Sequence, residues 1–167
     1  TNEQMLSWKK VVDSVHGYKT KIYAQLWHCG RISHIDYTNG FDLISSTSSP
    51  AKGLNRQNNK PFGTPRALEL NEIESIYKMF NHSAELALKA GFDGVEVHMG
   101  HGYLIDQFID SNINNRHDKY GGTAENRIRF AIELLNSLIK KIGNDKIMVR
   151  ISPSRMMNGL YEWPDKT

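Results

Sequence analysis

The spacing of apolar residues along the chain alternates between a helical pattern and a strand-like pattern. Three segments carry apolar side chains at three- and four-residue intervals, the spacing of one helix face; these predicted helices cover 5–15, 73–88 and 128–142. Three short runs rich in branched and aromatic residues predict buried strands, at 21–27, 92–98 and 146–152. A shorter helix is predicted at 103–109.

Capping and turn residues mark the ends of these helices. Asn71, with Glu74 three residues later, predicts the start of the second long helix, and Thr123 predicts the start of the third. Gly91 and Gly143 predict where those helices end. Strands that alternate with long helices predict parallel pairing through right-handed crossovers. The architecture is therefore an open doubly wound sheet or a (β/α) barrel.

The segment 30–70 has no strong periodicity and is rich in Gly, Ser, Asn and Pro. Connections in compact domains are mostly 2–6 residues long, so one of about 40 residues is either disordered or functional. We expect a long loop that serves as a lid, within a single domain over 1–167. The tail around Pro153, Asn158, Gly159 and Pro164 is predicted to be irregular.

Each predicted strand has one aliphatic face and one face with a polar group near its carboxyl end. In the second strand, Val95 and Val97 lie opposite Glu96 and His98. Central strands of an open sheet that is covered on both sides should be apolar on both faces. One polar inner face per strand favours a barrel with a ligand site at its mouth.

The polar groups at these strand ends have complementary chemistry. Gln25 has an amide donor and acceptor, Arg150 a cationic fork, and His98 a ring donor. Burying them without partners is costly, and a flat heterocycle with amide-like edges would supply partners. The alternative is that they pair with one another or with Glu96.

The segment from His98 to Tyr103 places two imidazoles and a phenol within six residues, separated by glycines. One hypothesis is that His98 and His101 hold an oxygen that becomes negative while Tyr103 donates a proton. A zinc site formed by His98, His101 and Glu96, which would make the protein a metal-dependent hydrolase, is a second hypothesis, although the helical His-Glu-x-x-His spacing is absent. A polar turn that only caps a helix is a third.

Composition and charge argue against a membrane-spanning protein and against a nucleic-acid-binding protein. The 167 residues are 39% hydrophobic and 23% charged, with a net charge of +3, and no apolar run approaches the roughly 18 residues of a membrane span. Basic residues are scattered among acids, which is not the pattern of a nucleic-acid interface. Cys29 is the single cysteine, so we expect a reducing, cytoplasmic compartment.

Six sequence blocks, in unbroken order, closely resemble the old yellow enzyme family of FMN-dependent ene-reductases. The His-x-x-His form is most similar to the 12-oxophytodienoate reductase branch. The blocks are Gln25-Leu-Trp-His-Cys-Gly-Arg31, Ala90-Gly-Phe-Asp-Gly-Val-Glu-Val-His98, His101-Gly-Tyr-Leu-Ile-Asp-Gln-Phe108, Asn115-Arg-His-Asp-Lys-Tyr-Gly-Gly122, Glu125-Asn-Arg127 and Val149-Arg-Ile-Ser-Pro153.

The resemblance implies a role for each matching site residue. Gln25 would bind the pyrimidine edge of FMN, and Arg150 would lie beside its N1–O2 side. His98 and His101 would bind the carbonyl or nitro oxygen of the substrate. Tyr103 would protonate the α-carbon of the activated C=C bond, with NAD(P)H as the hydride source. Trp27 would line the pocket.

The resemblance also implies a partial fold. A complete (β/α)₈ barrel takes about 250 residues, whereas this chain has three clear strands, which would correspond to strands 3 to 5 with their helices. A non-catalytic fragment is therefore an alternative to the ene-reductase, and self-association through open strand edges is expected. The sequence leaves open the physiological substrate, the choice of NADH or NADPH, and the oligomeric state.

Overall fold

The computed structural model describes residues 1–154, so the predicted irregular tail at Asn158, Gly159 and Pro164 lies outside the described residues. The helices are α1 (Asn2–His16), α2 (Leu70–Lys89), α3 (Leu104–Ile109) and α4 (Ala124–Ile142). The strands are β1 (Tyr23–Leu26), β2 (Ile44–Ser45), β3 (Arg66–Ala67), β4 (Gly94–His98) and β5 (Ile147–Arg150). No helix within 1–154 is long and apolar enough to cross a membrane.

The predicted helices and long strands are all present, with shifted ends. Thr123 immediately precedes α4, and its hydroxyl accepts the amide N–H of Asn126 at 3.4 Å. Asn71 lies inside α2, which begins at Leu70, so the N-cap position is Glu69 and the predicted start at Asn71 is wrong by two residues. β1, β4 and β5 are each shorter than their apolar runs, because strand bounds follow backbone hydrogen bonds and not the apolar character of the side chains.

The chain divides into two compact units. Unit 1 contains residues 1–26, 71–97 and 134–150. Unit 2 contains residues 27–70, 98–133 and the described residues from 151 onward.

Unit 1 is built on a three-stranded sheet in the order β1-β4-β5. β1 and β4 are parallel, with Tyr23 opposite Gly94 and Gln25 opposite Glu96. The strands are separated in sequence by the long helices α2 and α4, which confirms the predicted alternation. His16 and Ile22 both contact the carboxylate of Asp93, at 2.9 Å each. The backbone N–H of Ile22 and the His16 ring lower the pKa of Asp93.

Apolar burial in unit 1 is uneven. Val95 and Val97 on β4 and Leu138 on α4 are 0% exposed, as the predicted aliphatic face requires. Trp8 on α1 is 55% exposed and Val149 on β5 is 45% exposed, although the sequence pattern predicts packed faces there. Burial in unit 1 is therefore complete at these positions of β4 and α4 but not on α1 and β5.

In unit 2, the 30–70 segment is mostly irregular but contains ordered pieces. A 3-10 helix covers Ile35–Tyr37, and β2 and β3 form a parallel pair with Ile44 opposite Arg66. Phe108 of α3 stacks on Phe130 of α4 with ring centroids 4.2 Å apart. This stack fixes α3, whose first turn follows the histidine segment. The function of 30–70 as a lid stays a prediction.

Candidate active site

Four of the six predicted site residues form one aromatic cluster in unit 2. The ring centroids of His98 and His101 are 5.1 Å apart, and those of His98 and Tyr103 are 5.2 Å apart. Trp27 packs edge-on against Tyr103 at 4.5 Å and is 50% exposed. The two imidazoles, the phenol and the indole therefore share one small, partly open surface.

The backbone of the His98–Tyr103 segment explains why these side chains converge. His101 and Gly102 both have left-handed conformations, with φ of 55° and 78°. The N–H of His101 donates to the hydroxyl of Ser152 at 2.6 Å, and the N–H of Gly102 donates to the carboxylate of Asp106 at 2.6 Å. A β-carbon at Gly100 would lie 2.9 Å from the backbone nitrogen of Ser152. The glycines therefore permit a turn that larger residues would strain.

The hydrogen bonds assign the neutral tautomers of the two histidines. The N–H of Gly100 donates to Nδ1 of His98 at 3.2 Å, so the proton of a neutral His98 is on Nε2. Nε2 of His98 lies 3.3 Å from Nδ1 of His101 and donates to it. The proton of a neutral His101 is then on Nε2. His98 thus polarises His101, whose Nε2–H is the donor that this pair leaves for a ligand.

Tyr103 brings a protonated phenol to the cluster. Burial, with a smaller contribution from Cys29, raises the pKa of its phenol above the usual value, so the hydroxyl keeps its proton at neutral pH. The same burial raises the pKa of the Cys29 thiol, which makes this cysteine a poor nucleophile.

Gln107, which the sequence pattern did not single out, connects the backbone segments that carry the site. Gln107 is 0% exposed, and its amide nitrogen donates to the carbonyls of Cys29 and Gly102 at 3.2 and 2.6 Å. Its amide oxygen accepts the N–H of Arg31 at 3.2 Å. Gln107 therefore ties the loop after Trp27 to the histidine segment. A polar amide within the short apolar helix α3 was the available signal.

The other two predicted site residues, Gln25 and Arg150, belong to unit 1. The side-chain amide of Gln25 donates to the carboxylate of Glu96, which is the pairing that the sequence analysis left open as an alternative. Gln25 is exposed, and in the described part of the chain its amide oxygen has no hydrogen-bond donor. Arg150 is exposed at the end of β5. An unpaired amide acceptor and a cation fit the N–H and oxygen groups of a flavin pyrimidine edge.

The zinc hypothesis finds no support in the described residues. No group of three or more His, Cys, Asp or Glu side chains within 1–154 is arranged to hold a metal ion. His98 and His101 are hydrogen-bonded to each other, and Glu96 accepts from Gln25.

Residues 1–163 match the family model described as the NADH:flavin oxidoreductase / NADH oxidase family. The chain belongs to this family. It is 44% identical over 151 residues to the putative 12-oxophytodienoate reductase-like protein 2A of Arabidopsis thaliana, covering 90% of this chain and 56% of that protein. It is also 44% identical over 158 residues to 12-oxophytodienoate reductase 7 of Oryza sativa subsp. japonica, covering 91% and 40%.

A solved structure, the old yellow enzyme homologue from Zymomonas mobilis, matches with a TM-score of 0.92 and 38% sequence identity. The match covers 97% of this chain and 46% of that one. The fold is therefore part of a TIM (β/α)₈ barrel of the old yellow enzyme type, which confirms the fold class and the family that the sequence predicted. The chain spans about half the length of the curated relatives it matches.

Proposed function

We propose that this protein is an FMN-dependent NAD(P)H oxidoreductase that reduces the activated C=C bond of α,β-unsaturated carbonyl or nitro compounds. The observation that carries the proposal is the cluster in which His98, His101 and Tyr103 converge beside Trp27. It combines hydrogen-bond donors with a protonated phenol, as a reaction that develops an enolate-like oxygen requires. Membership of a flavin oxidoreductase family supports the redox chemistry.

The histidines bind and polarise the substrate oxygen in this proposal. Nε2–H of His101 donates to it directly, and His98 increases that donor strength through its bond to Nδ1 of His101. When the substrate binds, His98 can also exchange its bond to His101 for one to the same oxygen. Tyr103 supplies its phenolic proton to the α-carbon, and its raised pKa keeps that proton in place until then.

Gln25 and Arg150 hold the cofactor in this proposal. The amide of Gln25 binds the pyrimidine edge of FMN, and the guanidinium of Arg150 balances negative charge on its N1–O2 side. When bound, FMN supplies the hydride, which NAD(P)H replenishes. Trp27 excludes water from one side of the pocket.

The test is an anaerobic two-step experiment on the protein with FMN in excess. NADPH or NADH should bleach the bound flavin, and 2-cyclohexenone or a nitroalkene should then restore its colour with formation of the saturated product. A protein that NAD(P)H reduces but that neither acceptor reoxidises would contradict the proposed substrate class. A protein that binds no FMN would contradict the cofactor assignment and favour the alternative of a non-catalytic fragment.

The compartment and the association state are also proposals. The single cysteine supports a reducing, cytoplasmic compartment as the site of action. Among the described strands, β1 and β5 are at the edges of the three-stranded sheet. Unpaired edge groups favour strand pairing with another chain, so we propose self-association at these edges.

A further inference from the structure

Gln25 and Glu96 are direct neighbours across two parallel strands. They occupy the same register position of β1 and β4, so their side chains lie on the same face of the sheet. That face is opposite the one that carries Val95 and Val97, which are both 0% exposed. Glu96 is half-buried and Gln25 is exposed, so the pair is open to a ligand on the side of Gln25.

The chemistry of this pair determines how the amide of Gln25 is oriented. An ionised carboxylate can only accept hydrogen bonds, whereas an amide presents a donor on one side and an acceptor on the other. Glu96 must therefore face the NH₂ group of Gln25, as the structure shows. The amide oxygen then faces away from Glu96, and within 1–154 it has no donor. A glutamine without such a neighbour can rotate by 180° and offer either group.

We propose that Glu96 is a positioning residue that fixes Gln25 with its amide oxygen presented to the cofactor, so that the site selects a heterocycle with an N–H donor at that edge. This inference rests on the proposed function, in which Gln25 binds the pyrimidine edge of FMN. The N–H of that edge is N3–H, and the oxygen of Gln25 is its acceptor. A flavin methylated at N3 loses the donor and brings a methyl group against the oxygen.

A purely structural role for the Gln25–Glu96 pair makes a different prediction. A cross-strand pair that only stabilises the sheet would change the unfolding temperature when it is broken. It would weaken FMN and 3-methyl-FMN binding equally, because both ligands have the same remaining groups. The ratio of the two dissociation constants therefore separates positioning from stability.

The experiment measures the dissociation constants of FMN and 3-methyl-FMN by flavin fluorescence, using the full chain and three variants. Glu96→Ala removes the acceptor, and Glu96→Gln keeps an acceptor but also allows the reversed pairing. Glu74→Gln is the matched control, because it removes the same charge as Glu96→Gln. Glu74 is an exposed residue of α2 that contacts Lys78. We expect the wild type and Glu74→Gln to prefer FMN by roughly tenfold, the effect of about one hydrogen bond.

Glu96→Ala should reduce this preference to within about threefold, mainly by weakening FMN binding. Glu96→Gln should give a ratio of the two dissociation constants between those of the wild type and Glu96→Ala. An unchanged ratio in Glu96→Ala, with FMN still bound by the wild type, overturns the positioning role and leaves the proposed function intact. Failure of the wild type to bind FMN overturns the proposed function, and the ligand selectivity with it.

A second measurement examines the anchoring without any ligand. The side-chain amide signals of Gln25 in a ¹⁵N-correlated NMR spectrum should shift in Glu96→Ala and stay in place in Glu74→Gln. The variants should keep the dispersed backbone spectrum of the wild type, which shows that they fold. Gln25 signals that are the same in the wild type and in Glu96→Ala would overturn the proposed anchoring, whatever the flavin titrations show.

Discussion

At the scale of single residues, the candidate site depends on which ring nitrogen of each histidine carries the proton. Gly100 fixes the tautomer of His98, His98 donates to Nδ1 of His101, and the remaining N–H of His101 is therefore on Nε2. The sequence predicted both histidines as donors to one oxygen. Their spacing could show that the rings converge, but only the backbone N–H of Gly100 shows which nitrogen carries each proton.

The first prediction concerns these histidines. Replacing either His98 or His101 by Ala in the FMN-loaded protein should weaken the binding of phenolic ligands, which place an oxyanion where the substrate oxygen would lie. Losing a hydrogen bond to a charged oxygen costs about 1.5–3 kcal/mol. The loss should be larger for His101→Ala, because its Nε2–H is the donor left for a ligand. Titrations that follow the flavin absorption give the affinities, and two variants with wild-type phenol affinity would refute the oxygen-binding role.

The second prediction separates the two halves of the proposed reaction at Tyr103. Tyr103→Phe removes the phenolic proton but keeps the ring against Trp27 and His98. Reoxidation of the reduced protein by an enone should slow by about 10²-fold, while reduction by NAD(P)H stays near the wild-type rate. Stopped-flow absorption resolves both steps. Equal slowing of the two steps would assign Tyr103 a structural role.

At the scale of elements, α3 constrains the turn at Gly30. Gly30 has a φ of 59°, and a β-carbon there would lie 2.2–2.6 Å from the amide group of Gln107. Gln107 cannot move aside without losing its bonds to Cys29, Gly102 and Arg31. The sequence alone identifies Gly30 as a turn residue. The requirement for glycine at this position comes from its close approach to Gln107 of α3.

The third prediction tests this constraint. Gly30→Ala should lower the free energy of unfolding by about 2–5 kcal/mol, from the left-handed backbone and the overpacking against Gln107 together. Gly40→Ala is the matched control, since Gly40 has a φ of 85° but a β-carbon there would have no atom within 4 Å, and it should cost only about 1–2 kcal/mol. Denaturant unfolding measures both. Equal losses would show that Gln107 yields without cost.

At the scale of the whole molecule, several large apolar side chains are exposed. Among the described strands, the three-stranded sheet also has two unpaired edges. Leu6, Trp8 and Val11 on α1 are 56%, 55% and 44% exposed, and Ile151 after β5 is 57% exposed. A sheet with the order β1-β4-β5 leaves an edge on β1 and another on β5. Exposed apolar side chains and unpaired strand edges each favour association between chains.

The fourth prediction applies to the 167-residue chain as purified, without added FMN. Among the described residues, Gln25 and Arg150 are the groups proposed to hold the flavin, and two such contacts hold it weakly. The chain should therefore purify nearly colourless, self-associate in a concentration-dependent way, and show little ene-reductase turnover. Gel filtration with light scattering, absorption spectra and NAD(P)H consumption check the three expectations. A monodisperse yellow monomer that retains stoichiometric FMN through gel filtration would contradict them.

The sequence by itself determined the helices, the order of strands and helices, and the family, and it supplied the candidate site residues. Apolar periodicity and capping chemistry act over a few neighbouring residues, so α2, α4 and the alternation around β1, β4 and β5 could be predicted locally. The clustering of Trp27 with His98 and Tyr103 followed from the resemblance and from strands ending at one edge. These features depend on residue type and spacing, which the sequence contains directly.

Only the tertiary structure decided how the site residues are held. The bonds of Gln107 to Cys29 and of His101 to Ser152 join residues about 78 and 51 positions apart, and no local pattern specifies such pairs. Glu96 faces Gln25 because parallel register aligns β1 with β4. The exposure of Trp8 and Val149 likewise depends on which elements pack nearby. Burial, tautomer and amide orientation are set by neighbours in space, and folding alone brings those neighbours together.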